Sequence, residues 1–152
     1  MATTITSERA DTPDAIGLIE ELEALLNPLY PSKSRHGYSV EKLLAKDVAF
    51  FVLRSDNIPA ACGGIELVDA EYGEIKRMYV RPRFRGFGFA KLMVSHLAQF
   101  ARAENICVLR LETGIHQREA IGLYEALGFQ RIPPFGPYTN DPLSLCYEKI
   151  LT

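Results

Sequence analysis

The stretch YVRPRFRGFGFAKLMVSHL, Tyr79 to Leu97, decides the fold of this 152-residue chain. A strand pattern that begins at Glu74 breaks after Val80 into arginines and two glycines, and a helix is predicted to follow over Gly88 to Ala103. The next strand is predicted over Val108 to Glu112. Because a strand, a helix and a strand in succession form a parallel crossover, we expect one parallel strand pair.

The segments on either side predict antiparallel strands and further helices. Strands are expected over Thr3 to Glu8, Val48 to Leu53, Ile58 to Val68 and Leu143 to Ile150; helices are expected from Pro13, over Val40 to Ala45 and over Arg118 to Leu127. Cys62-Gly63-Gly64 is expected to weaken or bulge its strand. Together these elements predict an α/β fold, in which helices cover a mixed sheet with the parallel strand pair in its middle. The helical periodicity places on buried faces Ile16, Ile19, Leu22 and Leu26 of the first helix and Leu92, Met93, Leu97 and Phe100 of the third.

Composition predicts one ordinary globular domain over residues 1–152. With 47% hydrophobic and 24% charged residues and a net charge of -2, the chain resembles neither a disordered protein nor one that coats nucleic acid. No apolar run approaches the 18 or so residues of a membrane span, and no signal peptide is recognised, so we expect no membrane partner. Cys62, Cys107 and Cys146 are scattered singly, which favours buried free thiols in a reducing, cytoplasmic setting.

The loop between strand and helix has the character of an anion site. Main-chain N–H groups from Arg85 to Lys91 are expected to lack internal partners, and Gly86 and Gly88 would let an anion approach them. Six of the 17 Lys and Arg residues fall in this window, namely Lys76, Arg77, Arg81, Arg83, Arg85 and Lys91. The stretch matches neither a Walker loop nor a dinucleotide-binding fingerprint, because it lacks residues that each motif requires. Two alternative interpretations remain. The loop could be a solvated turn without a ligand, or it could bind nucleic acid, although the net negative charge of the chain opposes nucleic-acid binding.

Here the sequence resembles the GCN5-related N-acetyltransferase (GNAT) family. Arg85, Gly88 and Ala90 match its phosphate-binding signature, and HQREAIGLYEALGF, residues 116–129, looks like its second signature. The resemblance implies a mostly antiparallel sheet with a central parallel strand pair and helices on both faces. It also implies that acetyl-coenzyme A (acetyl-CoA) is the acetyl donor. Its implied binding residues are Met78, Tyr79, Val80, Arg85, Gly86, Phe87, Gly88, Phe89, Ala90, Lys91, Gln117 and Tyr124.

The resemblance further implies two catalytic residues. Tyr124 would protonate the departing thiolate, although a core tyrosine bonded to a carbonyl is the alternative. Deprotonating an alkyl ammonium at neutral pH costs about 4–5 kcal/mol, so a proton acceptor is expected. Glu74 matches the catalytic glutamate of histone-acetylating members, with Glu66 and Glu112 as weaker substitutes. Alternatively, Glu74 merely pairs with Lys76 or Arg77 on a strand surface.

The acceptor is expected to enter between YPSKSRHGY and IPPFGPYTNDP, residues 30–38 and 132–142. Arg35, His36, Tyr38 and Tyr138 could recognise it, and Arg35 suits a carboxylate. We therefore predict N-acetylation of a primary amine on a small or amino-acid-like molecule by direct attack in a ternary complex. Acetylation of a protein amine and a CoA sensor without turnover remain alternatives. No metal site is expected, and a homodimer is possible.

Overall fold

The computed structural model describes residues 2–152, and over this range seven strands form a sheet in the order β1-β2-β3-β4-β5-β7-β6. All neighbours pair antiparallel except β4 and β5, which are parallel. The strands are β1 Thr3–Ser7, β2 Ala49–Ser55, β3 Ile58–Val68, β4 Tyr72–Val80, β5 Val108–Gly114, β6 Gln130–Ile132 and β7 Ser144–Ile150. The helices are α1 Pro13–Leu26, α2 Val40–Ala45, α3 Phe89–Ala103 and α4 Arg118–Ala126. The predicted mixed sheet with one parallel pair is confirmed.

Strand β2 shows why the sheet is covered on both faces. Its successive side chains alternate, so Phe51 and Leu53 enter a core with α3 and α4 while Phe50 and Val52 enter a core with α1 and α2. On one face, Thr12 caps α1 and Ser39 caps α2, each through its side-chain oxygen. The predicted helices on both faces are therefore present.

Several details of the prediction need correction. Leu92 is 45% exposed, because the buried face of α3 runs through Phe89, Met93 and Leu97, and Leu92 lies about 100° around the helix from Met93. The buried face of α1 also includes Ala15 and Leu18, which the prediction did not name. Strand β6 has three residues, too few for an alternation to be recognised. Cys62 and Cys146 are buried free thiols as predicted, but Cys107, in the turn before β5, is exposed.

The bulge at Cys62-Gly63-Gly64 has its extra residue on β4 and not on β3 as predicted, whereas β3 carries an extra residue, Ala60, against β2. Cys62 pairs with Tyr79 and Gly64 with Lys76, so Arg77 and Met78 together face Gly63. Arg77 adopts a positive φ of 53°. A Cβ at Gly63 would lie 2.9 Å from Met93 Cγ, so the Met93 side chain would have to shift to admit one.

The parallel pair is short and then opens. β4 and β5 pair only at Gly73–Leu109 and Glu74–Arg110, and after these residues the two strands separate toward their carboxyl ends. Such a position, beside the start of a helix, is where open α/β sheets bind ligands. Among the described residues, no helix is long and apolar enough to cross a membrane.

Candidate active site

A wide cleft of about 590 Å³ lies beside the carboxyl end of β4. It is bounded by the end of β4, the following loop, the starts of α3 and α4, Leu25 of α1, and Leu29 just beyond the end of α1. The predicted donor-binding residues in its lining are Met78, Tyr79, Val80, Arg85, Gly86, Gly88, Phe89, Ala90, Lys91, Gln117 and Tyr124. Phe87 is not in the lining, because its ring turns outward, 53% exposed, and stacks on Phe89 at 5.8 Å.

The loop before α3 presents unpaired main-chain donors to this cleft. Within residues 2–152, the N–H groups of residues 86–91 have no hydrogen-bond acceptor, whereas the Arg85 N–H donates to the Pro82 carbonyl at 3.2 Å. Gly86 and Gly88 have φ of 88° and 78°, and a Cβ at either would meet nothing within 4 Å. With the positive end of the α3 dipole added, these donors suit a phosphate. The prediction that the Arg85 N–H also lacks an internal partner is therefore wrong.

The six basic residues of this window do not converge, contrary to the prediction. Arg81 forms hydrogen bonds to both carboxylate oxygens of Glu21, and Arg83 lies over the Phe84 ring. Lys76 and Arg77 face a different cavity. The remaining two, Arg85 and Lys91, line the wide cleft, and Arg118 of α4 joins them there. Two of the six basic residues face the wide cleft, so a count along the sequence overstates the local charge.

An inner cavity of about 120 Å³ lies where β4 and β5 separate, since both strands contribute to its lining. Its walls come from α1, residues 30–38, β4, β5 and Tyr138. The two spaces have in common Leu22, Met78, Gln117, Ala120 and Tyr124. The wide cleft and the inner cavity therefore meet around Tyr124.

Tyr124 is buried with its ring edge-on to Phe129 at 5.6 Å. Among residues 2–152, no group forms a hydrogen bond with its hydroxyl, so the alternative of a core tyrosine tied to a carbonyl does not describe it. Burial raises the pKa of Tyr124. The phenol therefore stays protonated at neutral pH, as a proton donor must.

Glu74 lies at the floor of the inner cavity in a buried network. Its Oε2 accepts hydrogen bonds from Lys76 Nζ at 2.7 Å and from the Tyr138 hydroxyl at 2.6 Å. Lys76 Nζ also lies 4.0 Å from the centre of the Tyr38 ring, and the Tyr38 hydroxyl donates to Glu66 at 2.7 Å. The pairing of Glu74 with Lys76 thus occurs, but it is buried, not on a strand surface.

Glu112 of β5 is another carboxylate in the cavity lining, in addition to Glu74 and Glu23. The Ser144 hydroxyl donates to its Oε2 at 2.7 Å, and among the described residues no Lys or Arg lies within salt-bridge distance of it. Burial raises the pKa of Glu112. A carboxyl group of this kind is suited to accept a proton near neutral pH.

The two loops expected to receive the acceptor do meet. Asp141 accepts from Ser34 at 3.1 Å and contacts His36 Nε2 at 2.6 Å, which joins residues 30–38 to residues 132–142. Arg35, His36, Tyr38 and Tyr138 all line the inner cavity. Arg35, however, donates from Nε to the Tyr30 carbonyl at 2.9 Å and from Nη2 to the Asn27 carbonyl at 3.0 Å, beyond the end of α1.

Tyr30 holds the start of α4 and was not recognised in the sequence, where it is one aromatic residue in a polar loop. Its hydroxyl donates to Gln117 Oε1 at 2.9 Å and accepts from the His116 N–H at 3.1 Å. The Gly114 N–H donates to the same Gln117 oxygen at 3.0 Å. Because two donors fix the amide oxygen, the Gln117 NH₂ group is left to bind a ligand.

Gly114→Ala is expected to destabilise the fold by about 1–3 kcal/mol, the usual effect of overpacking a core. A Cβ at Gly114 would lie 1.9 Å from the Tyr30 hydroxyl oxygen, so that ring must move. Urea unfolding would measure the change. Gly122→Ala is the control, since a Cβ there meets nothing within 4 Å, and it should leave stability unchanged or raise it. Equal stability of the two variants would contradict the Tyr30 contact.

Comparison with known proteins identifies the fold and the class of enzyme. The sequence profile of the Acetyltransferase (GNAT) family matches residues 19–129. The chain belongs to this family. The IAA acetyltransferase of Azospirillum brasilense is 40% identical over 149 residues, which cover 97% of each chain. The N-acetyltransferase YsnE of Bacillus subtilis is 31% identical over 138 residues, 90% of this chain and 91% of that one.

Solved structures agree with this GNAT assignment. A Klebsiella pneumoniae protein assigned as an acyl-CoA N-acyltransferase superposes with a TM-score of 0.84 at 34% identity, covering 99% of this chain and 98% of the other. The PaiA N-acetyltransferase of Thermoplasma acidophilum, solved in complex with coenzyme A, shares the fold with a TM-score of 0.79 at 18% identity, covering 99% of each chain. The protein is therefore an acyltransferase of the N-acetyltransferase class.

Proposed function

We propose that this GNAT enzyme transfers the acetyl group of acetyl-CoA to a primary amine of a small molecule, with both substrates bound together. The observation that carries the proposal is the meeting of two spaces at Tyr124, one lined by unpaired amides and one lined by carboxylates. A ternary complex needs such a junction, because direct attack requires the two reacting groups within about 3–3.5 Å. The relative named IAA acetyltransferase supports a small acceptor.

The wide cleft fits acetyl-CoA. The free N–H groups of residues 86–91, with Arg85 and Lys91 beside them, suit its diphosphate, and the Met78–Val80 segment of β4 lies along the route to Tyr124. The Gln117 NH₂ group is available to the pantetheine arm. Bound acetyl-CoA would supply an activated thioester. Leu25 and Leu29 would shield the apolar part of the arm from water.

Tyr124 would supply the proton that the departing sulfur requires. Its hydroxyl is uncommitted and lies in the lining of both spaces, and its raised pKa keeps the proton on the oxygen until it is needed. No cysteine is required as a nucleophile. Burial raises the pKa of Cys62 to about 12, and neither space has a cysteine in its lining.

The acceptor amine would lose its proton to a carboxylate of the inner cavity, directly or through water. Both Glu74 and Glu112 line this cavity. Glu74 Oε2 already accepts two hydrogen bonds, so a proton would have to reach Oε1. Glu112 has no cationic side chain bonded to it and has a raised pKa, and these two observations favour Glu112, with Glu74 second.

Glu112→Gln is expected to lower kcat/KM by about 100-fold or more, as loss of a general base does. In the parent enzyme kcat/KM should rise as pH increases through the pKa of Glu112, because only its ionised form accepts a proton. Since burial raises this pKa, the rise should lie above the ordinary range of a glutamate. Rate profiles between about pH 4.5 and 8 test this. The rise of kcat/KM with pH should vanish in Glu112→Gln and persist in the surface control Glu104→Gln. If the rise were lost in Glu74→Gln alone, Glu74 would be the base.

The inner cavity also supports the choice of a small acceptor. An engineered cavity of about 150 Å³ holds benzene, so about 120 Å³ admits a group of a few heavy atoms. His36, Tyr38 and Tyr138 are proposed to contact the acceptor, and Arg35 lies at the edge. Thermal stabilisation by acetyl-CoA, followed by thiol release with a library of amines, tests the whole proposal. Stabilisation without thiol release for any amine would indicate a CoA-binding domain instead.

A further inference from the structure

Arg77 is an unusual member of the inner cavity lining. It sits on the β4 bulge, and its side chain is 3% exposed. Among side-chain polar atoms of residues 2–152 that are shut off from solvent, Arg77 Nε is the one without a hydrogen-bond partner. Native proteins rarely leave a buried charged donor unpaired, because the lost hydrogen bond costs free energy.

The other basic side chains in the cavity lining already have partners. Lys76 bonds to Glu74 and Tyr138, His36 contacts Asp141, and Arg35 donates to two main-chain carbonyls. Arg77 has one partner, Glu23, which its Nη2 contacts. Glu23 is 38% exposed, so it compensates the buried guanidinium incompletely, and burial lowers the pKa of Arg77 to about 10. At neutral pH the group still carries its charge.

The surroundings hold Arg77 in place. Its backbone φ of 53° is unusual for a residue with a side chain, and such conformations persist where the fold requires them. Residue 37 is a glycine, and a Cβ there would lie 2.0 Å from Arg77 Nη1. The loop of residues 30–38 therefore closes directly over the guanidinium.

We propose that Arg77 binds a carboxylate of the acceptor, so that the substrates of this enzyme are amines that also carry a carboxylate. A guanidinium offers a planar pair of N–H donors that matches the two oxygens of a carboxylate. The unpaired Nε supplies one donor, and the second comes from Nη2 on the same edge, which has two N–H groups and contacts Glu23. Arg77 thus takes the role that the sequence suggested for Arg35. The inference rests on the proposed acetyl transfer and narrows its acceptor class.

The position of Arg77 also orients the substrate. Met78, its neighbour on the bulge, lines both the inner cavity and the wide cleft, while Glu74 and Glu112 line the cavity. A carboxylate held at Arg77 would leave the amine of the same molecule free to face these two glutamates. The proton acceptor and the anchor would then act on opposite ends of one small substrate.

Matched acceptor pairs test this inference on the unaltered enzyme. Glycine, β-alanine, γ-aminobutyrate and larger amino acids would each be compared with the amine obtained by decarboxylation, after acetyl-CoA binding has been established by calorimetry. We expect the KM for the carboxylate-bearing member, measured by thiol release, to be about 30-fold lower or more. The reason is that an unpaired buried charge costs about 2 kcal/mol or more. Equal or better use of the decarboxylated amines, or turnover of no carboxylate-bearing member, would overturn the inference. Failure of acetyl-CoA to bind would instead overturn the proposed function.

Arg77→Met supplies the second arm. The KM for the carboxylate-bearing acceptor should rise about 30-fold or more, whereas the KM for its decarboxylated partner should stay within about threefold. Arg102→Met, an exposed arginine in the last turn of α3, is the matched control and should change neither. An equal rise for both acceptors would show a structural role alone. Should Arg77→Met not fold, the acceptor pairs on the unaltered enzyme decide the question.

Discussion

Tyr124→Phe is expected to lower kcat by about 100-fold or more while leaving the affinity for acetyl-CoA nearly unchanged. The substitution removes the proton donor, and general acid catalysis contributes about 10²–10⁴ in rate. Because no described residue bonds to the Tyr124 hydroxyl, its removal leaves no partner unsatisfied and should not weaken the fold. Steady-state kinetics with calorimetric binding of acetyl-CoA would measure both effects.

Tyr147→Phe is the matched control for this substitution. Tyr147 is a second buried tyrosine of the same core, but its hydroxyl donates to Glu125 at 2.9 Å and lines neither of the two spaces. Its loss should cost stability and leave kcat within a few-fold. If Tyr124→Phe retained full kcat at all pH values, Tyr124 would not be the proton donor.

Gly88→Val is expected to raise the Kd for acetyl-CoA by about 100-fold, close to 2.7 kcal/mol. Gly88 has a φ of 78°, which a β-branched residue strongly resists, so the loop would rotate and turn its N–H groups away from the diphosphate. The new side chain would also project into the open space where a Cβ meets nothing within 4 Å. Calorimetric titration would measure the affinity.

Two comparisons separate binding from folding in this prediction. Gly122→Ala places a methyl group on the exposed face of α4 and should leave the Kd unchanged. Thermal unfolding of Gly88→Val should show a loss of at most about 1–2 kcal/mol, the cost of a left-handed backbone that rotation of the loop would relieve. Unchanged affinity in a folded Gly88→Val protein would remove the loop from the donor site.

The fold could be predicted because its decisive signals are local. The strand, the glycine turn and the helix over residues 74–103 follow one another in sequence, and the helices predicted from Pro13 and over Val40 to Ala45 begin at those residues. The bulge at Arg77 could not be predicted on β4, because its position depends on which residue of β4 faces Gly63. Pairing register is a tertiary property that a single sequence does not encode visibly.

The parts of the site that lie in one continuous stretch of sequence could be predicted. The parts formed by segments far apart in the sequence could not. The amides before α3 and the tyrosine of α4 lie in stretches with recognisable patterns. The pairing of Lys76 with Glu74 and Tyr138, the Tyr30 contact with Gln117 and the unpaired Arg77 each join or face segments far apart in sequence. For the same reason the basic cluster was overestimated, since Arg81 turns to Glu21 on α1.

The central claim is that the unpaired amides of residues 86–91 bind the diphosphate of acetyl-CoA. The most direct test is a titration of the ¹⁵N-labelled protein with coenzyme A, followed by the backbone amide resonances. We expect the largest chemical-shift changes at Gly86, Gly88 and their neighbours up to Lys91, and no comparable change at β1 or β2. Saturable binding that leaves these amides unmoved would contradict the account.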